Sequence, residues 1–228
     1  MNRLLKSLLI GSIVLGASSP GFAQAPVASA PPAAPTTVAP SVTGTVQQYL
    51  LTPHGEVDGV LLTDGTVVKV PPHLGDRLTA TVKRGDSVAV VGFMGLATPY
   101  GTAMKALTIT NTATGQGVID EPPAAPPLPP DRRGLSLAPL MVTGTVVRLL
   151  VNPPGDVDGL LLSSGEQVKF RPHNGALVAT LLARPGGTVT ATGFGTRNAF
   201  GTVVDADSLV VNGQQVSLRG PGGPPRSR

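Results

Sequence analysis

From position 42 onward the chain sets short runs of β-branched and apolar residues between clusters of Gly, Pro and Asp, a pattern of strands joined by tight turns. Residues 42–51 predict a first strand, ended by Thr52, Pro53, His54 and Gly55. Residues 57–63 predict a second, closed by Asp64 and Gly65, a strong hairpin signal. Residues 66–70 predict a third, stopped by Pro71 and Pro72. Over 73–83 the period changes. Leu74, Leu78 and Val82 recur every four positions, which predicts one face of a short helix between Pro72 and Gly85. Residues 87–93 and 102–111 predict a fourth and a fifth strand.

The same order returns one hundred positions later. VTGTVQQYLLTPHGEVDGVLLTDGTVVKVPPHLG begins at Val42 and VTGTVVRLLVNPPGDVDGLLLSSGEQVKFRPHNG at Val142. They agree at 19 of 34 positions, so the chain contains one small β-rich unit made twice. Strands are predicted at 142–151, 157–163, 167–170, 188–194 and 202–211, with a short helix near 174–183. The offset grows to 101 at Gly186 and returns to 100 at Gly201, which places length changes in surface loops. The bodies span 41–115 and 141–218. Between them 116–140 is rich in Pro and predicts a semi-rigid spacer. Residues 24–40 predict a solvated Pro/Ala-rich leader, and 219–228 a disordered basic tail. The chain opens with Arg3 and Lys6, a short apolar stretch and then small residues, the order of a signal peptide over 1–23. The stretch falls short of the roughly 20 apolar residues a membrane span needs. Export to the periplasm or beyond is therefore expected, with no membrane span after cleavage.

Three strands, a helix and two strands is the order of the OB-fold, a five-stranded Greek-key barrel. The fold class expected is all-β with one short helix per domain, as two tandem OB-fold-like five-stranded barrels. GTVQQYLLTPHGEVDGVLLTDGTVVKVPPHL and GTVVRLLVNPPGDVDGLLLSSGEQVKFRPH resemble the opening half of bacterial exported OB-fold (oligonucleotide/oligosaccharide-binding) domains of uncharacterised function. The resemblance covers both bodies. It implies oligonucleotide or oligosaccharide binding, through a fold that hosts unrelated functions.

Charge gives that implication little support. The first body sets Lys69, Arg77, Lys83, Arg84 and Lys105 against Glu56, Asp58, Asp64, Asp76 and Asp86. The second sets Arg148, Lys169, Arg171, Arg184 and Arg197 against Asp156, Asp158, Glu166, Asp205 and Asp207. Each body is neutral, whereas phosphate backbones call for clustered cations. With no cysteine there is no disulfide and no thiolate metal site.

The candidate ligand-binding residues are Lys69, Tyr100, Lys169, Arg171 and Phe200. Tyr100 and Phe200 match between the copies at the close of a variable loop that edges the OB groove; each either contacts ligand or plugs the barrel end. Lys69 and Lys169 match on strand three, with Arg171 beyond, and either meet an anion or guard a strand edge. Phe93 and Phe194, each after a Gly on a strand, are expected to be buried. Strand two is apolar on both sides: Asp58, Val60 and Leu62 on one, Gly59 and Leu61 on the other. A strand of that kind is covered on both faces, and the other copy is the candidate cover. His54, His73 and His173 and the nearby carboxylates assemble no metal set, so turn and helix-start hydrogen bonds are expected of them. No Cys nucleophile, Gly-x-Ser-x-Gly elbow or HExxH motif occurs. The expectation is an exported non-enzymatic binding or scaffolding protein with no cofactor. Its candidate partners are an oligonucleotide, a glycan or an envelope protein. Single-stranded nucleic-acid binding is one alternative, and an envelope protein with mutually packed barrels the other.

Overall fold

The computed structural model describes residues 40–123, 125–126, 137–182 and 186–218. The expected signal, nearly all of the leader, the tail and much of the spacer lie outside the described residues.

In the first body β1 (Ser41–Leu51), β2 (Val57–Leu62) and β3 (Val67–Lys69) form an antiparallel meander. A single 3-10 turn, Pro72–Leu74, leads into α1 (Gly75–Thr81). The chain then returns through β4 (Ser87–Met94) and β5 (Ala103–Asn111). β4 pairs with β1 and with β5, and β5 runs parallel to β3, which closes the barrel. The second body repeats this: β7 (Ala138–Val151), β8 (Val157–Leu162), β9 (Gln167–Lys169), α2 (Gly175–Leu181), β10 (Thr188–Asn198) and β11 (Gly201–Val211), closed by the parallel β9–β11 pair. Two OB-folds stand in tandem.

Local chemistry accounts for the elements. At the β2–β3 turn Asp64 accepts the Thr66 amide at 2.8 Å, and Gly65 takes a positive φ of 93° that a side chain would strain. At the helix start, a Cβ on Gly75 or Gly175 would sit 2.4 or 2.1 Å from the carbonyl of Val57 or Val157, so the first turn lies directly against strand two in both copies. Pro at the head of each 3-10 turn supplies the helical φ and gives up an amide that has no partner there.

Each barrel carries one further strand that the alternation does not reveal. β6 (Gly117–Ile119) and β12 (Gln214–Ser217) extend β5 and β11 as hairpins. β6 falls at the start of the stretch read as spacer, and β7 begins inside its end. Val118 and Leu218 bury their side chains in the respective cores. Two aromatics differ from expectation: Phe93 is 59% exposed and Phe194 is only half-buried. Val88 and Val90 point inward on β4, so parity sends Phe93 to the outer face with Val91. Among the described residues no helix is long and apolar enough to cross a membrane.

Candidate functional site

Strands buried on both faces predict a covering, and the apolar contacts identify it. Val60, Leu62 and Val68 belong to the core of the first barrel. Leu50, Leu61, Val67 and Ala103 instead pack into the core of the second, and Val203 packs into that of the first. These are the outward-facing residues of β1, β2, β3, β5 and β11. The face on which OB-folds usually take ligands is thus closed by the other barrel.

The seam is built twice, as the duplication requires. The carbonyl of Pro53 accepts the Thr196 hydroxyl at 3.1 Å, and the carbonyl of Pro153 accepts the Leu96 amide at 3.0 Å. Asn198 donates to the carbonyl of Gly55 at 2.8 Å. A Cβ on Gly95 would lie 2.1 Å from the Pro153 carbonyl, so the backbones touch there. The loop after β4 and the end of β10 therefore each rest on the strand-one-to-two loop of the other barrel.

Gln167 breaks the symmetry. Its counterpart in the first copy is Val67. Gln167 is 1% exposed, and its amide bridges two backbone groups of β1 in the other barrel. Nε2 donates to the Tyr49 carbonyl at 2.9 Å, and Oε1 accepts the Leu51 amide at 3.0 Å. No feature of strand periodicity flags this residue. The signal available was a polar side chain at a repeat position that is apolar in the other copy.

The matched lysines meet at the seam. β3 and β9 are paired on both sides, so neither lysine guards an edge. Lys69 donates to Asp58 Oδ2 at 2.6 Å, with side chains 17% and 18% exposed. Lys169 lies 4.0 Å from Asp158 Oδ1, too long for a hydrogen bond. Asp58 Oδ1 and Asp158 Oδ1 are buried and have no hydrogen-bond partner among the described residues. Burial, and then the neighbouring Lys69 ammonium, lowers the Lys169 pKa. Together with Arg171 and Asp205 these four side chains line a cavity of about 320 Å³. The structure thus brings Lys69, Lys169 and Arg171 to one place.

Phe200 and Tyr100 lie elsewhere on the seam. Phe200 packs edge-on against Tyr49, centroids 5.6 Å apart at 83°, and its carbonyl accepts Arg84 Nη2 at 2.7 Å. The Arg84 guanidinium lies 5.9 Å above the Tyr49 ring, whose hydroxyl donates to the Val82 carbonyl at 2.7 Å. Burial raises the Tyr49 pKa, partly opposed by Arg84. Tyr100 is 40% exposed beside β7. Of the histidines, the His73 ring nitrogen lies 2.9 Å from the Glu121 carbonyl. Among the described residues no three His, Cys, Asp or Glu side chains could hold a metal ion.

No family model and no curated protein matches the chain. Among solved structures it is similar to the wild-type single-stranded DNA binding protein from Thermus aquaticus, at 16% identity and a TM-score of 0.25, over 82% of this chain and 96% of that one. A deletion mutant of the same Thermus protein gives 15% identity and a TM-score of 0.24, with the same coverage. Likeness at this level says nothing of what the present chain binds.

Proposed function

We propose that this chain is an exported, non-enzymatic binding or scaffolding protein whose two barrels work as one body. The observation that carries the reading is the shared core at the seam, where Leu61, Val67 and Ala103 of one barrel pack among the core residues of the other. A face used in this way is not available to a nucleic-acid strand, and Lys69, the strand-three cation of the first barrel, is already paired with Asp58. Export rests on the basic, apolar and small-residue order of the first 23 positions, and the absence of enzymatic activity on the lack of a nucleophile or metal-protease motif.

Titration of the mature chain with a labelled single-stranded 20-mer at about 50 mM salt tests this, because phosphate contacts are strong there. The expected result is no binding that depends on Lys69, Lys169 or Arg171: replacing all three with Ala leaves the titration unchanged. Salt-steep binding that these substitutions abolish would overturn the covered-face reading. Recovery of the chain solely from the cytoplasm, with residues 1–23 attached, would overturn export.

A further inference from the structure

The duplicated seam is sealed on one side and open on the other. On the sealed side Phe200 meets the Tyr49 ring, and Arg84 caps the pair. On the open side the matching positions hold Tyr100 and Leu149. Leu149 stands in place of a second ring, and a cavity of about 480 Å³ lies beside it. Its walls are Pro99 and Tyr100 from the first barrel and Val147, Leu149 and Leu182 from the second, with Arg148 among them. The volume falls within the range of small-molecule sites, roughly 300–1,000 Å³.

Among the described residues Arg148 is the one charged residue that lines the cavity. The guanidinium reaches across the seam to the Gly65 carbonyl at 3.4 Å, a long bond that engages one of its five donors. Among the described residues no carboxylate pairs with it, whereas Lys69, Arg77, Lys105 and Lys169 each have an acidic neighbour. A cavity with one aromatic wall, aliphatic neighbours and, among the described residues, one cation lacking a carboxylate complements a flat apolar body that ends in an anion. We infer that the cavity between Tyr100 and Arg148 binds a small aromatic carboxylate, its ring lying where the sealed side holds Tyr49 and its carboxylate on the Arg148 guanidinium.

The inference rests on the paired-barrel reading, and two independent readouts separate their failures. The probe is 2-naphthoate, followed by calorimetry on the intact chain, with the neutral 2-naphthalenemethanol as its control. The naphthoate is expected to bind at least about tenfold more tightly than the alcohol, the difference one charge-assisted pair supplies. Arg148→Met should remove that preference, and Arg148→Lys should restore part of it. Val147→Trp fills the cavity from a position that is 52% exposed, so the fold is kept while binding is lost. Equal affinity for acid and alcohol, no binding of either at millimolar concentration, or unchanged binding by Arg148→Met and Val147→Trp would each overturn the site. Circular dichroism and a single melting transition run alongside: an intact pair that does not bind rejects the site alone, whereas barrels that melt separately reject the paired reading.

Discussion

Replacing Gln167 with leucine is expected to destabilise the folded chain by about 3 kcal/mol, the largest loss from any single neutral substitution at the seam. The side chain is fully buried, and its amide satisfies the Tyr49 carbonyl and the Leu51 amide of the other barrel. Leucine keeps the shape and removes both partners. A buried polar group left without a partner costs about 1–3 kcal/mol, and two are left here. The loss is read from urea unfolding followed by circular dichroism, as a lower midpoint with little change in slope. A change below about 1 kcal/mol would mean that water reaches these groups and that the seam is not closed. Valine at the matching position 67 makes the contrast informative: Val67→Leu keeps an apolar contact and should act only through packing.

Replacing Asp58 with alanine is expected to cost about 3 kcal/mol, near the lower end for breaking a buried ion pair. Lys69 would lose its 2.6 Å partner, and two neighbouring lysines would then share Asp158. The same cluster gives an unusual pH response. Burial and Lys69 hold the Lys169 pKa below its ordinary 10.5. Between the lowered value and 10.5 the unfolded chain binds more protons than the folded one, so this residue makes stability rise with pH across that window. Below the window both states are protonated and the full cost of the buried charge is present. Lys169→Met should abolish the alkaline rise, because no group with a lowered pKa then stands at this position. A parent whose stability falls steadily from about pH 7 to about pH 10, unchanged by Lys169→Met, would show that Lys169 is solvated.

The barrels were legible because local signals and the repeat agree. Asp64 with Gly65, Pro72 before the helix, and the four-residue spacing of Leu74, Leu78 and Val82 each specify a piece, and Gly165, Pro172, Val178 and Leu182 repeat much of this in the second copy. β6 and β12 were not legible, because strands of three and four residues carry too little alternation and Gln214 and Gln215 read as loop. For Phe93 hydrophobicity argues burial, but its parity with Val91 decides its place on the outer face. The covered face was legible in strand two, where both sides are apolar. The partners of the candidate residues were not. Asp58 with Lys69 requires the pairing of β2 and β3, and Gln167 with Tyr49 requires the docking of one barrel on the other. Neither relation is written in spacing along the chain.

Amide hydrogen exchange at Leu51 and Leu96 tests the joined barrels most directly, because these two amides donate across the seam to Gln167 and Pro153. Both are expected to exchange only with the global opening that also releases the amides of Val60 and Leu160 inside the barrels, at the same free energy. Fast exchange at Leu51 and Leu96, with Val60 and Leu160 still protected, would mean that the barrels stand apart and their faces are open.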